Sequence, residues 1–376
     1  MKNSLGLIAG LTALFYLHCS LSADSLDVWH VRRQVELNSR QYPICVAYGD
    51  GVFVSGGAGG ALASSTDGIS WTNRLSGSAL PIFQIAYGNG TFLALAGSDV
   101  LASPDGIDWT LRTLGTTYYV SGITFGKGLF LVVGDNGNSL TSSDGINWIS
   151  RNVGTNAQLV DAAFAGGMFF ATLGGPLMTS SDAIRWTPGV TGINSALRDV
   201  VYGNGVFVAV GDGDVVLRSL DGIDWANVSF KQGFFSFYKA AFASGVFVVV
   251  GSSGQIWTSI DGANWIERNS KVGSTLRGVT FGKGTFVAAG DGVILQSDPL
   301  PTSVADAAIL SLRLYAGIEI TGNVGRSYNI EYTDDLASTN TWKPLSMIQL
   351  PSSPYLWFDV ASPNISKRVY RAVFAP

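Results

Sequence analysis

From Ser25 to Pro299 the chain is written in short apolar runs broken every few positions by Gly, Asn, Asp or Ser. Runs such as IFQIAYG, TFLALAG, DVLASP and IDWTLRT follow one another with turn residues between them, which predicts short strands joined as antiparallel hairpins. No stretch of this region holds a 3.6-residue apolar period long enough for a helix. The pattern also repeats. Tyr48, Tyr87, Phe125, Phe164, Tyr202, Phe242 and Phe281 each sit in a phrase of the type YGNGTFLALAG, 38 to 40 residues apart. A second phrase, S-x-D-G-x-x-W, places Asp67, Asp105, Asp144, Asp182, Asp221 and Asp261 at the same spacing, with a tryptophan four residues after each.

One period therefore holds four strands, and a four-stranded unit this small buries its faces only by stacking on its neighbours. Repeats of about 40 residues with four strands each are what the blades of a β-propeller look like. The aromatic phrase occurs seven times and the tryptophan phrase six. The last repeat, VTFGKGTFVAAGDGVILQSDPLP, stops at prolines where its fourth strand would start. Ahead of the first repeat lies DVWHVRRQ, whose Trp29 and Arg32 match the Trp and Arg of WTNR, WTLR and WIER. The leading segment is expected to supply the missing strand and to pair with the stretch from Gly292 to Ser297. Such closure removes the free sheet edges of an open array. The expectation is an all-β chain: a seven-bladed β-propeller over 24–299, a linker over 300–306, and a small β-sandwich over 307–376.

In the turn phrase the aspartate can accept backbone N–H bonds within its own turn, the glycine can take a positive φ, and the serine two residues earlier can add a bond. Each turn offers one carboxylate, whereas calcium takes six to eight oxygens, so the row of aspartates reads as structural and no metal is implied. The phrase resembles a one-residue-shorter Asp-box, the bacterial-neuraminidase-type repeat of sialidases, of photosystem assembly-factor propellers and of many secreted bacterial propellers. In that superfamily the Asp-boxes lie on the face away from the active site, so the resemblance speaks to architecture and not to catalysis. Arg32, Arg74, Arg112, Arg151 and Arg268 each follow a repeat tryptophan by three residues. A residue type that tracks the repeat belongs to the scaffold.

With 47% hydrophobic residues, 13% charged and 47 glycines, the chain is too apolar for disorder and suits many buried strands. A net charge of −4 provides no field for holding phosphates and excludes nucleic acid as a natural partner. The N-terminus has one lysine, an apolar run from Leu5 to Leu17 and small residues at Ser20, Ser22 and Ala23. That pattern predicts a secretory signal peptide over 1–23, and with it a secreted, periplasmic or cell-surface protein with no transmembrane segment after cleavage. Its removal takes Cys19 and His18 with it. Cys45 and His30 then remain, which rules out an internal disulfide and leaves too few residues for a His/Cys metal cluster. No cofactor is implied.

If the turn phrase marks one face, the opposite face holds the loops that enter each inner strand, around the funnel where propellers usually bind. Four residues before each repeat aromatic stand Ile44, Phe83, Ser121, Val160, Arg198, Tyr238 and Arg277; three before stand Cys45, Gln84, Gly122, Asp161, Asp199, Lys239 and Gly278. The polar members concentrate in the later repeats. The longest connection, NVSFKQGFFSFYKA, adds Phe234, Phe235 and Phe237. Aromatic faces beside guanidinium groups suit a sugar ring or a protein surface. The expected ligand-binding set is Arg198, Arg277, Tyr238, Lys239, Asp161, Phe234, Phe235, Phe237, Tyr118 and Tyr119. Sialidases use an arginine triad with a tyrosine, a glutamate and an aspartate, usually on six blades. Arg198, Arg277, Tyr238, Asp161 and Asp199 imitate part of that set, but Glu36 and Glu267 are the only glutamates of the propeller and both belong to the repeat frame. The leading expectation is a monomeric, non-catalytic scaffold binding a glycan or a protein. A sialidase-like glycoside hydrolase and an assembly-factor-like scaffold are the alternatives. The final residues, with phrases YNIEYTDDL and VYRA, resemble a fibronectin-like module found at the ends of secreted bacterial proteins.

Overall fold

The computed structural model describes residues 25–230, 235–300, 316–320, 323–333, 342–350, 355–359 and 369–375. The expected signal peptide lies outside the described residues, as do Phe234 and most of the expected linker. The chain divides into two compact units, Met1–Thr302 and Ser303–Pro376.

In the first unit the described residues form seven four-stranded antiparallel sheets. Blade one runs outward from Pro43–Gly49 through Val52–Gly57 and Leu62–Ser65 to Thr72–Arg74. Blades two to seven begin on the inner strands Ile82–Gly88, Val120–Gly126, Asp161–Ala165, Leu197–Gly203, Phe237–Ala243 and Leu276–Gly282. Each inner strand lies against the next around a closed ring, the last against the first. The architecture is a seven-bladed β-propeller.

The leading segment closes the ring as the repeat count predicts. Trp29–Gln34 pairs antiparallel with Val293–Ser297, Trp29 opposite Ser297 and Gln34 opposite Val293, with a bulge between Val31 and Arg33. Trp29 is only 1% exposed, donates its indole N–H to the Leu26 carbonyl at 3.1 Å, and packs with Val248, Phe286 and Leu295. The other repeat tryptophans take the equivalent place between a blade and its predecessor. Trp109 lies against Val54 of blade one and Phe92 of blade two, and Trp148 against Leu93 and Phe130. The core is thus a ring of inter-blade layers with one repeat tryptophan in each, and the layer between blades five and six holds Trp257 besides Trp265.

The turn phrase works as its chemistry suggests. In the third blade the amides of Ile146 and Asn147 donate to Asp144 Oδ1 at 2.8 Å, and Ser142 Oγ donates to the same oxygen at 2.9 Å. These bonds, those from the Asn147 and Ile146 amides first, hold the Asp144 carboxyl well below the usual carboxylate range. Two of the periodic arginines bond across one pair of strands, Arg151 Nε to Thr141 Oγ1 and Arg268 Nε to Thr258 Oγ1, both at 2.9 Å, whereas Arg112 Nη1 donates to the Gly145 carbonyl of the next blade at 3.3 Å. Glycine follows most repeat aromatics because the next blade's ring lies on its backbone. A Cβ at Gly126 would meet Phe164 Cγ at 2.1 Å.

The second unit contains, among its described residues, a strand pair, Ala316–Ile320 with Tyr355–Asp359, and a three-stranded sheet with Ser327–Thr333 between Lys343–Gln349 and Val369–Ala375. Ile330 and Leu350 are buried there, with Tyr328 and Ile348 against them. Among the described residues of the chain no helix is long and apolar enough to cross a membrane.

Candidate functional site

The seven inner strands enclose a channel of about 630 Å³, and its mouth is formed where the loops enter those strands. Because every blade presents the same backbone there, the residue four positions before each repeat aromatic forms a rim. The rim has two halves. Ile44, Phe83 and Val160, with Ser121 between the last two, make one side mostly apolar, and of these Ile44 is 6% and Phe83 52% exposed. Blades five, six and seven contribute Arg198, Tyr238 and Arg277, and the two guanidinium carbons lie 5.0 and 4.9 Å from the Tyr238 ring centroid.

Both arginines are fixed from behind. Arg198 donates through Nε and Nη2 to the two oxygens of Asp212 at 2.6 and 2.9 Å, and Arg277 does the same to Asp291 at 2.8 and 3.2 Å. The bonds to Asp291 raise the Arg277 pKa above its ordinary value. Burial would push the Asp212 carboxyl up, but the Arg198 bonds outweigh it and leave the group below the usual range. The fork geometry orients the guanidinium planes beside the tyrosine, so the array is rigid before any ligand arrives.

One layer deeper, the residue three positions before the repeat aromatic forms a polar belt. Lys239 Nζ lies 2.8 Å from Asp161 Oδ2 and 3.3 Å from Asp199 Oδ1. Gln84 Nε2 donates to Asp161 Oδ1 at 2.6 Å, the Ile123 amide donates to Gln84 Oε1 at 2.7 Å, and the Ala240 amide donates to Asp199 Oδ2 at 2.9 Å. Gly122 leaves the opening: a Cβ there would stand 2.8 Å from Asp161 Oδ1. The belt ties blades two, three, four, five and six across the axis. Burial raises the Asp199 carboxyl to about 6, against the opposing pull of Lys239. Burial alone would lower the Lys239 pKa, but Asp161 and Asp199 together raise it above its ordinary value.

The described members of the expected site separate into four groups: rim, belt, surface and core. Arg198, Tyr238 and Arg277 come together at the rim, and Asp161, Asp199 and Lys239 form the belt beneath them. Phe235 and Tyr119, at 39% and 50% exposed, remain at the surface. The expectation for Phe237 is corrected: it is fully buried among Val210, Val249 and Trp257, because it opens an inner strand whose alternate side chains face the neighbouring blade. Tyr118 packs against the core between blades two and three and is half-buried. Asp212 and Asp291 escape a reading of aligned repeat positions because they lie in loops after the second strands. Their signal is the Gly-Asp that follows that strand in both repeats carrying the rim arginines. Cys45 is buried, and burial pushes its thiol up to about 12, so it holds no nucleophile at neutral pH.

No family model matches the chain, and no curated protein matches it. Among solved structures, YCF48 bound to D1 peptide superposes with a TM-score of 0.61 at 17% identity, covering 75% of this chain and 100% of the other. A catalytically inactive virginiamycin B lyase from Staphylococcus aureus, solved with quinupristin, gives 0.64 at 10% identity over 73% and 100%. The WD40 propeller domain of Doa1 gives 0.57 at 13% identity over 74% and 98%. The likeness is one of fold alone.

Both belt carboxylates, Asp161 and Asp199, are paired with Lys239, and Asp199 is only 4% exposed. Its titration has a consequence for folding. A carboxyl raised from 3.8 to about 6 binds its proton more tightly in the folded chain, so its contribution to stability is full below the unfolded value. That contribution is lost as pH rises to about 6. The turn aspartates act in the opposite sense and obscure the effect, so the comparison is with Asp199→Asn. The thermal midpoint of the wild type relative to this variant is expected to fall between about pH 4 and about pH 6. Parallel melting curves for the two would show that Asp199 does not titrate in this window.

Proposed function

We propose that this protein is a secreted, monomeric, non-catalytic scaffold whose funnel face binds an extended segment of another protein. The observation that carries this reading is the Arg198, Tyr238 and Arg277 array, held by Asp212 and Asp291 and facing the apolar half-rim of Phe83, Ile44 and Val160. A flat ring between two guanidinium planes offers stacking surface and donors for backbone carbonyls, while the opposite half-rim accepts an apolar side chain. The structure of YCF48 with a D1 peptide is consistent with a propeller of this shape holding a peptide. In this reading the turn phrases are Asp-boxes of the bacterial-neuraminidase type, and the C-terminal unit is a fibronectin-like β-sandwich serving as spacer or attachment module.

A glycan is the second reading for the same rim, favoured by the exposed rings of Phe83, Tyr119 and Phe235. Peptide and glycan arrays probed with the whole protein separate the two. The expected result is peptide binding that falls at least about tenfold, or 1.4 kcal/mol, in Arg198→Ala and in Tyr238→Ala with little change in thermal midpoint. Binding confined to glycans would replace the partner class. Turnover of chromogenic glycosides that is abolished by Tyr238→Phe or Asp161→Asn would overturn the scaffold reading in favour of a sialidase-like hydrolase.

A further inference from the structure

A second groove of about 630 Å³ opens away from the channel, between the loop that follows the closing strand and the loop at 75–79. Its walls include Arg33, Gln41, Leu62, Asn73, Arg74 and Leu75. Arg33 belongs to the leading segment, whereas Leu62, Asn73 and Arg74 belong to blade one, so the groove exists only because the ring is closed at this seam.

Arg33 is the exception among the arginines near the repeat tryptophans. The scaffold arginine stands three residues after the tryptophan; at four residues after, the other six repeats have Leu75, Thr113, Asn152, Val190, Ser229 and Asn269. The bulge between Val31 and Arg33 separates their tasks. Arg32 bonds back to Gln296 within its own sheet at 2.9 Å, and Arg33 is aimed across the seam, where Nη2 donates to Asn73 Oδ1 at 2.6 Å. Burial lowers the Arg33 pKa from its ordinary value, so the cation is partly desolvated.

The groove is rich in donors and poor in acceptors. Arg33 keeps its Nε and Nη1 hydrogens, Arg74 uses only Nε, on Ser64 Oγ at 2.8 Å, and no carboxylate is among the lining residues. At its inner end a narrow cleft shares Arg33, Gln41, Ala61 and Leu62 with the groove and reaches Ser55. Ser55 is 2% exposed and its hydroxyl has no hydrogen-bond partner. Arg33, half-buried and with no carboxylate lining the groove beside it, and the buried Ser55 hydroxyl both gain from an acceptor-bearing ligand.

We propose that this seam groove is a binding site for an acidic sugar, its carboxylate on the Arg33 and Arg74 guanidinium groups, its hydroxyls on Gln41 and Asn73, and one water in the narrow cleft linking it to Ser55. Leu62 and Leu75 give the sugar ring an apolar wall, and the volume lies within the span of small-molecule sites. A sugar carboxylate suits the set better than inorganic phosphate, because neutral amides and a hydroxyl share the groove with the two cations.

The test is titration calorimetry of the full chain with glucuronate, glucose, inorganic phosphate and acetate. Glucuronate is expected to bind saturably and at least about tenfold more tightly than glucose or acetate, and Arg33→Gln to remove that preference while Arg33→Lys keeps part of it. Arg277→Ala, at the channel rim, is expected to leave glucuronate binding unchanged, which makes the outcome independent of the funnel reading. In the wild type, the Arg33 Nε resonance is expected to shift on glucuronate addition, a readout that requires no variant to fold. The proposal is overturned by an absence of saturable glucuronate binding, by equal affinity for glucose, by phosphate binding more tightly than glucuronate, or by undiminished binding in Arg33→Gln.

Discussion

Replacing Trp29 by alanine is expected to lower the unfolding free energy by about 3–5 kcal/mol, the range for removing a large aromatic from a well-packed core. The side chain is 1% exposed, fills the layer between blades six and seven beside Val248, Phe286 and Leu295, and has its indole N–H bonded to Leu26. It also opens the strand that closes the ring, so the cavity would form where sheet pairing has no covalent continuity behind it. Urea unfolding followed by tryptophan fluorescence and circular dichroism measures the change. The same substitution at Trp148, which is half-buried against Leu93 and Phe130, is expected to cost less. A loss at Trp29 below about 1 kcal/mol would show that the leading strand bears little of the ring's stability.

Lys239→Met is expected to destabilise the propeller by about 2–4 kcal/mol at neutral pH, because it leaves Asp161 and Asp199 in the channel without their cation. The figure sits toward the lower side for a broken buried pair, since the Lys239 side chain retains 23% of its exposure. Acidification gives the variant-specific signature. Asp199, whose pKa burial raises, loses its uncompensated charge on protonation, so the gap between wild type and variant is expected to narrow as the pH falls. Adding Asp161→Asn and Asp199→Asn to Lys239→Met is expected to recover most of the loss at neutral pH. A variant as stable as the wild type at every pH would mean that the belt contributes nothing net.

Much of the fold was legible because a repeat constrains many positions at once. The seven aromatics and six tryptophans set the period, and the mismatch between the two counts led to Trp29 and its pairing with the last blade. The turn aspartates were legible for the same reason, since each bonds within its own repeat; the periodic arginines follow the period too, but Arg112 reaches the Gly145 carbonyl of the next blade and Arg268 reaches Asp27. The rim and the belt were partly legible: taking the residues three and four positions before each aromatic brings out Arg198, Tyr238, Arg277, Asp161, Asp199 and Lys239, the positions where the repeats differ.

What stayed hidden depends on contacts that cross the repeat frame. Gln84 reaches Asp161 two blades away because Gly122 leaves room between them, and a single sequence holds no sign of that distance in space. Asp212 and Asp291 lie 14 residues after the arginines they bind, in loops where repeat alignment says little. Phe237 looked like its neighbours in a run of phenylalanines, but strand alternation turned it inward. The groove at Arg33 needs two segments that meet only after the ring has closed.

The most direct test of the closed ring is hydrogen exchange on the whole protein, resolved to the segment 29–34. The amides of Trp29–Gln34 are expected to exchange as slowly as those of Val293–Ser297, opposite which they lie, and to be released in the same cooperative step as the blades. Rapid exchange of the leading segment while Val293–Ser297 stayed protected would contradict the closure and, with it, the seam on which the second groove depends.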